Sequence, residues 1–306
     1  ITIFSKQAIL HINDLQITLL DTPGHTDFSS ETERTLDVLD CAIMVISASS
    51  GVQSHTRTLW KLLRSRGIPT LVFINKMDLP DTDKSKILSE LECELGDGFC
   101  DFSAPDFENI SLCDESLMDK YLAVGKLSSE DIAAAVARCT VFPCCFGSAL
   151  KLEGVEEFTA LLSAYAPCSK SKSDFAAKVF KITRDNAGTR LTHIKITGGS
   201  LKVRGLLRYG EFEEKVTQIR VYSGTKFTPT EEAFSGDIVA VAGLAHTFSG
   251  MGLGAEEQSS PPSLQPVLTY AVLVPDGCDI HNAVKQMQQL EEEEPQLHLV
   301  WDDRLQ

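Results

Sequence analysis

Nowhere in the 306 residues is there a Gly-x-x-x-x-Gly-Lys-Ser/Thr loop of the kind that wraps nucleotide phosphates, and no apolar run approaches the length of a membrane span. The nine cysteines (41, 93, 100, 113, 139, 144, 145, 168 and 278) form no Cys-x-x-Cys pair and have no histidine at ligand spacing. That excludes zinc fingers and secreted disulfide scaffolds. An odd number of cysteines scattered through apolar segments reads as reduced, buried thiols in a cytosolic protein. Cys144 and Cys145, adjacent on an expected strand, point to opposite faces and do not share a metal. Basic residues are also scarce: 28 Lys and Arg against 43 Asp and Glu leave a net charge of −15. This excludes a general nucleic-acid coat and makes DNA an unexpected partner; any RNA contact must be local. An initiator Met and a basic-then-apolar leader are missing too. Ile1 opens in mid-pattern, so the expectation is a piece of a longer protein.

What is present is ordinary globular composition, 43% hydrophobic and 23% charged, at a length that predicts two or three domains. Residues 1–21 alternate on both sides of Asn13-Asp14, which predicts a hairpin. The rhythm then changes to continuous apolar strands (Ala42–Ile46, Thr70–Asn75, Thr140–Phe146) alternating with helical segments (Ser29–Leu39, His55–Arg66, from about Asp83, Val155–Ala164). That alternation predicts a parallel sheet with crossover helices. Residues 96–128 read as an insertion of surface loops and a short helix. The α/β domain spans 1–167, and 168–174 is a polar linker. Beyond it, short strands at Phe175–Thr183, Arg190–Thr197, Ser200–Leu207, Lys215–Tyr222 and Asp237–Val241 predict an antiparallel β-barrel over 175–264. Residues 265–306 read strand (Leu268–Val274), helix (about Asp279–Leu290), strand (Leu297–Trp301): the start of a small α+β, ferredoxin-like domain.

Chemistry-bearing residues gather where parallel strands deliver their carboxyl ends, the edge at which open α/β sheets bind ligands. One strand ends in Asp21-Thr-Pro-Gly-His25, a second in Asn75-Lys-Met-Asp78, a third in Gly147-Ser-Ala-Leu150. A strand followed by a tight turn would account for any one of them. All three in order predict one guanine-nucleotide site. The Asp78 carboxylate can accept from both the ring N–H and the exocyclic amine of guanine. Adenine offers no such donor pair and would leave a buried acceptor unpaired, at a cost of about 1–3 kcal/mol. The Lys76 stem can cover a face of the base, Asn75 can bridge neighbouring loops, and the Ser148 and Ala149 amides can meet the guanine carbonyl. Asp21 can hold Mg2+ through water, and Gly24 lets the backbone approach a terminal phosphate.

Asp21-Thr-Pro-Gly-His25, Asn75-Lys-Met-Asp78 and Ser148-Ala-Leu150 resemble the nucleotide motifs of translational GTPases. Ile1-Thr2-Ile3 resembles the end of their first switch. The series of GTPase domain, β-barrel and α/β start is similar to elongation factor G, and Ile1-Thr-Ile-Phe-Ser-Lys-Gln-Ala and Gly243-Leu are closest to the tetracycline-resistance ribosomal protection proteins. The resemblance implies GTP and Mg2+ as cofactors, the ribosome as partner, a monomer, a cytoplasmic location and no membrane. It further implies Thr2 as a direct Mg2+ ligand, Ile1 beside an apolar gate, His25 as the residue that orients water, and Leu150 as part of the base-binding turn. It departs from the family in the absent phosphate loop, from which this chain alone is expected to be inactive. An elongation-factor-G-like translocase, or a binding module derived from a GTPase that no longer hydrolyses, remain alternatives. The run Glu291–Glu294 reads as a solvated helix end. Lys202, Arg204 and Arg208 read either as an RNA-facing patch or as exposed strand charges.

Overall fold

The computed structural model describes residues 6–13, 15–24, 29–167, 172–258, 268–275 and 277–300. These divide into two compact units. One gathers the described residues of 1–10, 18–38 and 170–306, the other those of 11–17 and 39–169.

Strands β1 (Lys6–Ile12) and β2 (Leu15–Asp21) form the expected hairpin as a two-stranded sheet of their own, followed by helix α1 (Ser29–Leu36). The next segment runs β3 (Ala42–Ser47), α2 (Ser54–Ser65), β4 (Thr70–Asn75), α3 (Lys84–Leu95), β5 (Phe99–Asp101), α4 (Phe107–Ser111), α5 (Glu115–Val124), α6 (Ser129–Ala137), β6 (Phe142–Phe146) and α7 (Val155–Tyr165). Its four strands lie in the order β3-β4-β6-β5, and every pair is parallel. Residues 70–74 of β4 and all of β6 are buried, as befits continuous apolar runs covered on both faces. The core joins Leu71, Phe73, Ile110, Leu117, Ile132, Val136, Cys145 and Phe158. Trp60 of α2 packs between Phe99 and Phe142, ring centroids 5.0 and 4.7 Å away, and its Nε1–H donates to the Leu95 carbonyl at 2.7 Å.

The segment 96–128 is not an insertion of loops. It supplies the edge strand β5, the helices α4 and α5, and buried Phe99, Phe102, Ile110, Leu117 and Leu127. A three-residue strand is too short to show a period. The legible marks were the helix caps: Asp106 and Asp114 accept from backbone amides of α4 and α5, Gly125 closes α5 at φ +72°, and Ser128 and Asp131 form a capping box at α6.

The other unit contains β7 (Ala176–Arg184), β8 (Arg190–Gly198), β9 (Ser200–Lys202), β10 (Leu206–Tyr209), β11 (Phe212–Lys215), β12 (Gln218–Ser223), β13 (Lys226–Thr230), β14 (Glu232–Phe234), β15 (Ile238–Ala242), β16 (Gly252–Gly254) and helix α8 (Ile280–Glu293). Six strands pair in the order β13-β12-β15-β8-β7-β16, with β9–β14 and β10–β11 as separate pairs, all antiparallel. Inward residues such as Val179, Ile194, Ile196, Ile219, Val239 and Leu253 share one core. The strand expected at 200–207 is two, because Arg204 turns at φ +67° and the Gly205 amide returns to the Lys202 carbonyl.

Two expectations for the last segment fail. Residues 268–275 form no strand, and Tyr270 and Leu273 are 78% and 88% exposed; a strand needs a ladder partner, and none pairs with them among the described residues. Pro295–Leu297 is a 3-10 turn and 298–300 form no strand. The acidic end of α8 is not merely solvated either. Glu292 pairs with Arg184 at 2.8 Å and Arg190 at 3.1 Å, and Glu294 with Arg34 at 2.6 Å. Lys202 and Arg208 likewise face Glu232 and Glu213.

Candidate functional site

The parallel register places Ser47 beside Asn75 and Ile74 beside Phe146, so the ends of β3, β4 and β6 are level at the carboxyl edge. Two backbone bonds tie the last two ends together: Gly147 N–H to the Ile74 carbonyl (2.9 Å) and Met77 N–H to the Gly147 carbonyl (3.0 Å). The Asn75 side chain adds the third tie. Its Oδ1 accepts from the Lys76 amide at 2.8 Å and from the Ala149 amide at 2.9 Å, bridging the two loops. Lys76 itself sits at φ +65° with its side chain exposed, which turns the chain sharply out of β4. Thr82 locks that turn by donating to the Met77 and Leu79 carbonyls.

The Gly147–Gly154 turn is equally constrained. Ser148 and Glu153 exchange backbone bonds at 3.0 and 3.1 Å. A Cβ on Gly147 would stand 2.2 Å from the Glu153 carbonyl oxygen, and one on Gly154 (φ +73°) 2.4 Å from that of Phe146. Only glycine fits either place.

Asp78 lies under this turn, largely sheltered, with Lys151 Nζ 3.9 Å from its Oδ2. Its carboxyl is held below the usual carboxylate range, first by the neighbouring Ser148 hydroxyl and further by Lys151, against the opposing effect of burial. That hydroxyl is itself buried and meets no partner at hydrogen-bond geometry. The Asp78 carboxylate offers two oxygens on one group, the acceptor pair that the two donors of guanine require. Two expected donors are already spent, however. The Ser148 amide serves Glu153 and the Ala149 amide serves Asn75; the Leu150 N–H takes no partner among the described residues, and its side chain is 90% exposed. Tight closure of the turn onto itself is the reason. Sequence reasoning misses Lys151, although its place three residues after Ser148 in a short turn points it back at Asp78.

Asn75, Lys76, Asp78, Ser148, Ala149 and Leu150 thus come together in one unit. Asp21 does not join them on the sheet. Among the described residues its strand β2 pairs only with β1, and it is partly buried along its length, unlike the inner parallel strands; Asp21 and Gly24 group with the other unit. Asp21 is exposed at the strand end, and a Cβ on Gly24 would meet nothing within 4 Å. Thr2 and His25 lie outside the described residues. No group of three His, Cys, Asp or Glu suited to a metal occurs among the described residues. This does not oppose Mg2+, which takes one or two carboxylates plus substrate phosphates.

A parallel sheet whose edge carries Asn-Lys-x-Asp and Ser-Ala-Leu, followed by an antiparallel-sheet domain, has the architecture of a translation-factor GTP-binding domain and the domain that follows it. The chain belongs to the family of the elongation factor Tu GTP binding domain, which matches residues 1–168, and elongation factor G domain 2 matches residues 174–251. Among curated proteins it is 32% identical to an oxytetracycline resistance protein of Streptomyces rimosus, over 99% of this chain and 52% of that one. It is 30% identical to tetracycline resistance protein TetM of Streptococcus pneumoniae (78% and 41%) and 26% identical to TetP of Clostridium perfringens (99% and 51%). The chain therefore spans about half the length of the curated relatives it matches. A crystal structure of a protein from Thermus thermophilus has the same fold, with a TM-score of 0.82 at 23% identity over 96% of this chain and 53% of that one. No helix among the described residues is long and apolar enough to cross a membrane.

Proposed function

We propose that the chain is the guanine-recognising part of a ribosome-dependent GTPase of the elongation factor G type, acting as a tetracycline-resistance ribosomal protection protein in the cytoplasm. The observation that carries this reading is the Asp78 carboxylate, 3.9 Å from Lys151 Nζ, set beside a turn that Asn75 cross-links to β4. Asp78 takes the two guanine donors, Lys76 covers the base, and the Leu150 turn closes over it. The similarity to named resistance proteins supports the biological role.

In this reading Asp21, through water, and Thr2 hold Mg2+, and Gly24 lies against the terminal phosphate. Mg2+ supplies charge neutralisation on the phosphates when bound. His25 orients the attacking water once the ribosome positions it. In this reading the domains are 1–167, a linker over 168–174, a barrel over 175–264 and a closing segment over 265–306 that carries α8, acting as a monomer.

The test is base choice. In a chain with a phosphate-binding loop restored ahead of Ile1, Asp78→Asn should lose GTP affinity and gain affinity for XTP, whose ring carbonyl pairs with the new amide donor. Competition titration with GTP, ATP and XTP reads this out, and an unchanged GTP preference would overturn the assignment. A second reading is a binding module derived from a GTPase that does not hydrolyse. It is distinguished in the same restored chain by the absence of ribosome-stimulated turnover despite GTP binding.

A further inference from the structure

Cys100, on β5, and Cys113, just beyond α4, bring their sulfur atoms to 3.3 Å, the closest approach of two thiols among the described residues. Thirteen positions apart in sequence, they show no motif, and only the fold joins them. Both side chains sit in the core of their unit beside Phe102 and Ile110, but not equally. Cys100 is buried, whereas Cys113 is half-exposed at the surface end of the pair. The remaining sulfur contacts are weak, Cys100 with the Gly98 carbonyl at 3.8 Å and Cys113 with that of Asn109 at 3.6 Å, so neither thiol is locked away from the other.

We propose that Cys100 and Cys113 form a reversible redox site, in which Cys113 is the attacking thiol and Cys100 the resolving thiol of an intramolecular disulfide. A disulfide bond is about 2.05 Å long, so the sulfurs need to close by only about 1.3 Å, within reach of side-chain rotation. The oxidant is a low-molecular-weight disulfide. The Cys113 thiolate attacks one of its sulfurs, the S–S bond breaks, and one small thiolate leaves. The Cys100 sulfur then attacks Cys113 Sγ, the second small thiolate leaves, and the two protons end on the released thiols. Two protein thiols are oxidised and one small disulfide is reduced to two thiols. The division of labour follows from exposure, since the outer sulfur alone can be reached first. It agrees with the electrostatics: the contact between the two sulfurs holds the Cys113 thiol below its ordinary value and, with burial, pushes Cys100 up.

The bond would tie the edge strand β5 to the end of α4. Strand β5 is paired directly to β6, the strand that delivers the Ser148 turn, and the Phe102 amide bonds the Cys144 carbonyl. Oxidation therefore stiffens the flank of the sheet that carries the base site without touching the site itself.

The experiment uses the whole chain, equilibrated over a series of oxidised-to-reduced glutathione ratios, alkylated and digested with a protease that cuts after glutamate. Glu94 and Glu108 place Cys93, Cys100 and Cys113 on separate peptides, so a Cys100–Cys113 link appears as one joined pair. Because the second thiol is already in place, the link should form at a ratio at least about tenfold lower than that which half-modifies exposed Cys93. Cys100→Ser should trap glutathione on Cys113, while Cys113→Ser should leave Cys100 reduced. Wild-type modification of Cys93 before any 100–113 link, Cys113 carrying glutathione only, or a link seen only in denaturant would each overturn the proposal. Equal reaction of Cys100 in the Cys113→Ser chain would overturn the assigned order of attack.

Discussion

One oxygen, Asn75 Oδ1, accepts both the Lys76 amide that follows it and the Ala149 amide from the next strand's loop. The bond to Ala149 spans 74 positions of sequence and sets the distance between the turn that holds Asp78 and the turn that covers it. Asn75→Ala leaves two backbone donors without that acceptor. The expected loss is about 1–3 kcal/mol of stability, read as a lower urea midpoint in residues 1–306. Asn75→Asp keeps the acceptor and should recover most of it.

Gly24 separates folding from binding. A Cβ there would meet nothing within 4 Å, so Gly24→Ala should change stability by no more than about 0.5 kcal/mol. In the chain with a restored phosphate loop, the same change should weaken GTP binding if that backbone lies against the terminal phosphate. Paired denaturation and nucleotide titration check both halves.

Gly154 is the opposite case. It stands at φ +73° with the Phe146 carbonyl in the place of its missing Cβ. Gly154→Ala must move β6 or unwind the start of α7, at a cost of more than about 2 kcal/mol, measurable as a fall in the thermal midpoint. Guanine recognition should fall with it.

His193 predicts a pH dependence. Burial, reinforced by nearby Lys181 and opposed by Glu31, lowers its pKa to about 3, and its Nε2 lies 2.8 Å from Thr183 Oγ1. An unfolded histidine titrates near about 6.5, so below that value the unfolded chain binds a proton that the folded one refuses. The stabilising difference is complete above about pH 6.5 and is lost, by up to about 1.4 kcal/mol per pH unit, as the pH falls towards 3. His193→Gln should remove that slope. Urea midpoints of both proteins between about pH 7 and pH 4.5 measure it.

These particulars show what a sequence can carry. Strands β4 and β6 were legible because burial on both faces demands unbroken apolar runs, and β3 because its run is as continuous, although Val45 is exposed. The hairpin was legible because alternation stops at Asn13 and resumes at Leu15. Asn75 and Asp78 were legible through chemistry, being polar groups placed where an apolar strand must end. Strand β5 is three residues long and its partner lies 43 positions away, at Phe142, so no local rhythm announces it. Residues 268–274 show the converse failure: Leu-Thr-Tyr-Ala-Val-Leu-Val has every local mark of a strand, yet a strand exists only with a neighbour to bond. The bridging of two loops by Asn75 was legible too, but that it engages the Ala149 amide, and that Cys100 meets Cys113, lie beyond any window of sequence.

The setting of Trp60 makes one half of this protein visible to light. Its indole is shut away between Phe99 and Phe142 with its N–H spent on Leu95, so its emission lies to the blue and shifts red when water reaches it. The chain has only one other tryptophan, Trp301. With Trp301→Phe a single chromophore remains, seated on α2 against the parallel sheet. Its colour then reports the melting of the unit that carries Asn75 and Asp78, while the antiparallel unit unfolds unseen.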